Sequence, residues 1–99
     1  MTEIKIDSAL RQAVAAHREG KLDKAERGYR SVLQSEPTHP DANHNLGILL
    51  DSINKPELAL PCYKVALEEN PQIEQLWLSY LGALLAQNEL DLANITLEK

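Results

Sequence analysis

Residues 20–37, GKLDKAERGYRSVLQSEP, decide the fold, because their pattern returns as NKPELALPCYKVALEENP at residues 54–71. A shortened third copy begins at Asn88. The positions that stay in step are Gly20, Asn54 and Asn88, then Leu22, Pro56 and Leu90, then Ala25, Ala59 and Ala93, then Tyr29, Tyr63 and Leu97. Successive copies are 34 residues apart. A constant interval of this length predicts a repeat architecture, in which one supersecondary element stacks on the next.

The helical spacing of apolar residues predicts that each unit is a pair of helices. Leu10, Ala13, Val14 and His17 fall at i, i+3, i+4 and i+7, which is one face of a helix. We expect Gly20 to end this first helix, because glycine readily adopts the left-handed conformation of a C-terminal turn. Two helices joined by such a turn form a helical hairpin.

Residues with capping side chains predict where the first two helices begin. Asp7 or Ser8 can accept hydrogen bonds from the exposed N–H groups of the first helix. Asp23, followed three residues later by Glu26, has the pattern of a capping box for the second helix.

The later helices are expected to follow the same scheme. The third covers residues 40–53, and the fourth begins at Pro56 with a kink or a late start caused by Pro61. The fifth covers residues 73–87, Asn88 turns the chain, and a sixth begins at residue 89 or 90. Gly47 has no side chain, so a neighbouring helix can approach closely there.

The predicted fold is therefore all-α, a stack of antiparallel helical hairpins with about six helices. Residues 1–6 are expected to form a lead-in and residues 7–99 a single domain. The repeats cover about residues 6–39, 40–73 and, cut short, 74–99.

Composition excludes several classes of function. A net charge of −5 on 99 residues argues against a nucleic-acid surface, which needs a basic stripe. The single cysteine, Cys62, allows no intramolecular disulfide and favours a reducing compartment. The N-terminus has no apolar run typical of a signal peptide, and no stretch is long enough to span a bilayer. We therefore expect a cytoplasmic protein without a membrane partner.

The repeat resembles the tetratricopeptide repeat (TPR) family, whose units are helical hairpins of about 34 residues. The second unit has its signature positions most fully, namely Leu46, Gly47, Leu50, Asn54, Ala59, Tyr63, Ala66 and Pro71. In the first unit Gln12 and Ala13 replace the Leu-Gly pair, and in the third unit Gly82 stands one place late. The resemblance implies a right-handed superhelix with Trp77 in its core and a concave groove lined by the first helix of each pair.

In the family, this groove commonly binds an extended peptide or a partner helix. The resemblance places the following residues in it: Leu10, Arg11, Val14, His17, Arg18, Asp41, His44, Asn45, Ile48, Asp51, Leu78 and Ser79, with Asp7, Ser52, Gln75, Gly82, Leu85 and Ala86 beside them. Arg11, His17, Arg18, His44 and Asn45 form its most polar part. Weak capture of an anion or peptide and an ordinary wet surface are both open for them.

Two subtypes of the family can be compared with the sequence. A clamp for a C-terminal carboxylate needs several cations, and only Asn45 matches its pattern. The segment AAHREG at residues 15–20 and the segment IEQLWLSY at residues 73–80 are similar to N-terminal repeats of bacterial glycosyltransferases, including relatives of O-linked N-acetylglucosamine transferases. This similarity implies a substrate-recognition region of a larger protein, with Asn45 as a contact to peptide backbone.

No arrangement of residues predicts catalysis, a cofactor or a metal. His17, His39 and His44 have no neighbouring set of ligands at metal-site spacing. Cys62 has no fixed cation that would make it a nucleophile. We interpret the chain as a non-enzymatic scaffold for protein interaction.

The C-terminal end suggests an alternative to a scaffold that binds a peptide. Leu85, Leu90, Leu92, Ile95 and Leu97 would lack a following helix to cover them, and an exposed apolar patch marks an interface or a truncation. The chain would then be part of a longer array, or a structural unit that self-associates through this end without binding a peptide.

Overall fold

Five α-helices follow one another in the structure, a computed structural model that describes the backbone of residues 3–98 and the side chains of residues 5–88. Their bounds are α1 Glu3–Arg18, α2 Leu22–Ser35, α3 Pro40–Ser52, α4 Pro56–Glu69 and α5 Glu74–Glu98. No strand occurs within residues 3–98. The prediction of an all-α fold is confirmed.

Each helix packs on its neighbours along the chain. α1 packs on α2, α2 on α3, α3 on α4 and α4 on α5. α1 also contacts α3, and α3 contacts α5. The first helices of successive hairpins therefore lie side by side and form one continuous face of the molecule. The right-handed sense of the stack stays a prediction.

Two of the expected hairpin turns are confirmed and one is wrong. Gly20 and Asn54 have φ angles of 79° and 63°, the left-handed conformation that ends a helix. Asn88 instead lies inside α5, which continues unbroken for 25 residues. The predicted sixth helix is thus an extension of the fifth.

Local chemistry explains why position 88 does not turn. Gly20 is itself a helix breaker, and Asn54 is followed by Lys55 and Pro56, where the proline disfavours a helical conformation of the preceding residue. Asn88 is followed by Glu89 and Leu90, which are both good helix formers. An asparagine alone costs a helix only a few tenths of a kcal/mol, about 0.7 at most.

The expected starts of three helices also need correction. α1 begins at Glu3 and not after a cap at Asp7 or Ser8, because Ile6, only 4% exposed, is buried against Val32 and Ala42. Most of the proposed lead-in is therefore helical.

α2 begins after Lys21, without a side-chain cap, so the capping box is wrong. Glu26 instead accepts a hydrogen bond of 2.9 Å from Arg30, one turn further along α2. α4 begins at Pro56 and continues through Pro61, so its late start is wrong.

Equivalent side chains fasten the connectors between the hairpins. Asn43 is buried, and its Nδ2 donates hydrogen bonds of 3.0 Å to the carbonyls of Pro37 and His39. Trp77 stands at the same position of the next repeat, and its Nε1 donates to the carbonyl of Pro71 at 2.7 Å. The bond from Asn43 to Pro37 and the bond from Trp77 to Pro71 each reach back six residues. Trp77 was expected in the core, but it is 45% exposed, because its indole lies against the connector.

The core is built on Tyr29 and Tyr63, which are buried together with small residues such as Ala25 and Ala59. A Cβ added to Gly47 would lie 2.5 Å from Cε1 of Tyr63. The prediction that Gly47 allows a close approach is confirmed. These contacts fix how α3 lies on α4, and hence the position of the face formed by the first helices.

Candidate functional site

Every described residue predicted to line the groove lies on α1, α3 or α5. The structure brings only part of this set together in one cleft, between α3 and α5. α3 supplies Ile48, Asp51 and Ser52, α5 supplies Gln75, Leu78, Ser79 and Gly82, and Tyr63 of α4 completes the lining. The cleft has a volume of about 460 Å³, within the range of roughly 300–1,000 Å³ that is typical of ligand pockets.

Tyrosine hydroxyls connect the core to this face at equivalent points in two repeats. The hydroxyl of Tyr29 lies 2.9 Å from Nδ1 of His17. The hydroxyl of Tyr63 donates to Oδ2 of Asp51 at 3.3 Å. In each pair the partner stands 12 residues before the tyrosine.

Electrostatics fix the direction of the bond between Tyr63 and Asp51. Burial, together with the neighbouring Asp51 carboxylate, raises the pKa of the Tyr63 phenol well above its usual value. Tyr63 therefore stays protonated and donates the hydrogen bond, and the Asp51 carboxylate accepts it. One oxygen of the Asp51 carboxylate is held in place by this bond.

His44 bridges α3 and α5 at the edge of the cleft. Its Nε2 lies 3.0 Å from Oγ of Ser79, and its ring centroid lies 5.8 Å from that of Tyr63. Burial lowers the pKa of the His44 imidazole, and the Asp41 carboxylate partly opposes this shift. Neutral His44 therefore belongs to the folded contact between the two helices.

We expect the free energy of unfolding to fall as the pH drops below the ordinary His44 pKa of 6.5. The unfolded chain binds a proton there more readily than the folded chain, so acid favours unfolding. Urea unfolding at a series of pH values from 7.5 to 5, on the wild type and His44→Gln, measures this. As the pH falls, the wild type should lose more stability than the variant. Parallel curves of stability against pH would contradict a lowered pKa of His44 in the folded protein.

The other predicted groove residues lie outside the cleft. Leu10 and Val14 pack against the core, so they contribute to the hairpin as well as to the face. Arg11, Arg18 and Asp41 are exposed, and Asn45 is half-buried. Leu85 is 63% exposed. The side chains of Leu90, Leu92, Ile95 and Leu97 lie outside the described residues.

Tyr63 lines the cleft but is absent from the predicted groove residues. Its ring is buried, and its hydroxyl orients Asp51. Each tyrosine is separated by the same interval from a polar residue of the preceding helix, His17 or Asp51. That shared interval is a signal that could have found this link.

Metal and thiol chemistry have little basis in the described part of the chain. Among the described residues, no group of three or more His, Cys, Asp or Glu side chains is placed to hold a metal ion. Sγ of Cys62 lies 3.7 Å from the carbonyl oxygen of Leu58. Burial raises the pKa of the Cys62 thiol, which therefore stays protonated and is a poor nucleophile.

Comparison with known families adds no assignment, since no protein-family model matches this sequence. Within the described helices, none has both the length and the apolar character needed to cross a membrane.

Proposed function

We propose that this protein is a non-enzymatic interaction scaffold of the TPR type that binds an extended peptide or a partner helix along the face of α1, α3 and α5. The cleft between α3 and α5 is the observation that supports this most strongly. It combines apolar side chains, Ile48 and Leu78, with hydrogen-bonding groups and one carboxylate. Recognition sites for peptides combine apolar contacts and polar groups in this way.

The wider setting is also a proposal. The similarity of residues 15–20 and 73–80 to bacterial repeats favours a recognition region of a larger glycosyltransferase-like protein. A cytoplasmic location agrees with the single cysteine. In this setting the face would hold the protein substrate, and a separate domain would perform the chemistry.

Peptides selected from a random decapeptide display library should bind wild-type protein and lose about 10-fold in affinity on Leu78→Ala. Leu78 is 56% exposed and lines the cleft, so its contacts with a ligand would disappear. Leu58→Ala is the matched control, because Leu58 is 47% exposed but lies on α4. Fluorescence anisotropy with labelled peptides gives the affinities. Equal losses in both variants, or no selected peptide at all, would refute a peptide-binding face.

A second candidate is self-association without a peptide ligand. Several large apolar side chains of α5 are exposed, namely Trp77, Leu78, Leu81 and Leu85. Such a patch marks an interaction surface, and a second copy could cover it. Sedimentation equilibrium across concentrations separates the two candidates. A protein that binds peptides as a monomer supports the first, and a dimer that binds none supports the second.

A further inference from the structure

We propose that the cleft between α3 and α5 receives a lysine or arginine side chain of the partner, with the Asp51 carboxylate as its counter-ion. This inference rests on the proposed peptide-binding function and names the chemistry of one subsite.

Gly82 opens the cleft. A Cβ built on Gly82 meets no atom within 4 Å, so the backbone of α5 borders free space there. The equivalent position in the preceding repeat is Ile48, whose side chain lines the same cleft from α3. Gly82 therefore leaves room for a ligand side chain on the α5 side of the cleft.

Asp51 gives the cleft its charge. No lysine, arginine or glutamate is among the lining residues, and the ion pairs of Lys21 with Glu19 and of Arg30 with Glu26 do not involve Asp51. The hydrogen bond from Tyr63 positions the carboxylate but brings no positive charge. At 3.3 Å between the oxygens this bond is long for O–H···O. The carboxylate therefore keeps the capacity to accept a stronger bond from a cation.

The walls of the cleft suit the stem of a basic side chain. Ile48 and Leu78 are 38% and 56% exposed, and they lie on opposite helices of the cleft. Lysine and arginine bury their methylene stems along apolar surface while the charged head finds a polar partner. A charge-assisted bond from that head to Asp51 is the stronger kind of hydrogen bond. An acidic ligand side chain would instead be repelled.

The junction between α1 and α3, one repeat earlier, does not repeat this arrangement. His17 and Arg18 stand at the positions of Asp51 and Ser52, and His17 is bonded to Tyr29. A cation would meet Arg18 there instead of a carboxylate. The preference for a basic residue should therefore apply at one position of a bound peptide and should not recur one repeat away.

A double-mutant cycle between peptide and protein tests the subsite. Decapeptides are selected on the wild type, and the selected arginine is replaced by citrulline, its neutral isostere. We expect lysine or arginine to be enriched at one peptide position. The citrulline peptide should bind wild type about 10-fold more weakly, and Asp51→Asn should bind both peptides about equally. Asp23→Asn, which removes the same charge from α2, should behave like wild type.

Filling the cleft is an independent arm of the test. Gly82→Leu places a side chain in the free space, and we expect it to weaken the arginine peptide at least 10-fold while circular dichroism shows an unchanged fold. Selected peptides without a basic position, or an equal citrulline penalty in wild type and Asp51→Asn, would overturn the subsite and leave the scaffold function standing. Failure to select any peptide would overturn the scaffold function itself.

Discussion

Replacing Tyr63 with alanine should lower the free energy of unfolding by about 3–5 kcal/mol, the usual cost of removing a large aromatic ring from a core. Tyr63 is only 2% exposed and belongs to the core cluster that joins the hairpins. Its ring contacts α3 at Gly47, so the loss would leave a cavity between α3 and α4. The total free energy of unfolding of a native protein is about 5–15 kcal/mol, so the variant would lose a large share of its stability.

Chemical unfolding followed by circular dichroism at 222 nm measures the Tyr63→Ala effect, with Trp77→Ala as the matched control. Trp77 is the larger aromatic but is 45% exposed, so its removal should cost clearly less. Should Tyr63→Ala fail to fold, Tyr63→Phe still tests the site. It keeps the ring and removes the bond to Asp51, at a cost of about 0.5–1.5 kcal/mol. Similar losses for Tyr63→Ala and Trp77→Ala would show that Tyr63 is not the centre of the core.

The constant repeat interval predicts much of this fold because the residues that recur have few structural roles open to them. The large rings of Tyr29 and Tyr63 are stabilised by burial in the core, and the small residues Ala25 and Ala59 permit the close crossing of helices. Gly20 and Asn54 are both suited to a left-handed turn, and both adopt it. The same rule fails at Asn88, because there the following residues support a helix. Position within a repeat is a weaker signal than the helix propensity of the adjacent residues.

The candidate site is less accessible to prediction than the fold. The resemblance to the TPR family implies that Ile48, Asp51, Leu78 and Ser79 share one groove, and the structure places all four in one cleft. The size of that cleft depends on the missing side chain of Gly82, and its charge depends on whether Asp51 has a partner. Both are properties of residues from different helices in contact, so no spacing within one helix reveals them.

Gly47 and Gly82 differ in their contacts with other helices, and substitutions at the two positions can measure this difference. Both lie within helices, where glycine costs about 0.5–1 kcal/mol relative to alanine. Helix propensity taken by itself would therefore predict that either substitution by a helix former stabilises the protein. The structure separates them, because a Cβ on Gly47 would lie 2.5 Å from Cε1 of Tyr63, whereas a Cβ on Gly82 meets no atom within 4 Å.

We expect Gly47→Leu to destabilise the protein by about 1–3 kcal/mol, the typical cost of overpacking a core. The ring of Tyr63 is buried and cannot swing away, so α3 and α4 must separate to admit the new side chain. Gly82→Leu should instead stabilise by up to about 1 kcal/mol through helix propensity. The midpoints of chemical unfolding should thus move in opposite directions for the same chemical change. If both variants gain stability, α3 and α4 do not approach as closely as the structure shows, and Tyr63 does not lie where it can orient Asp51.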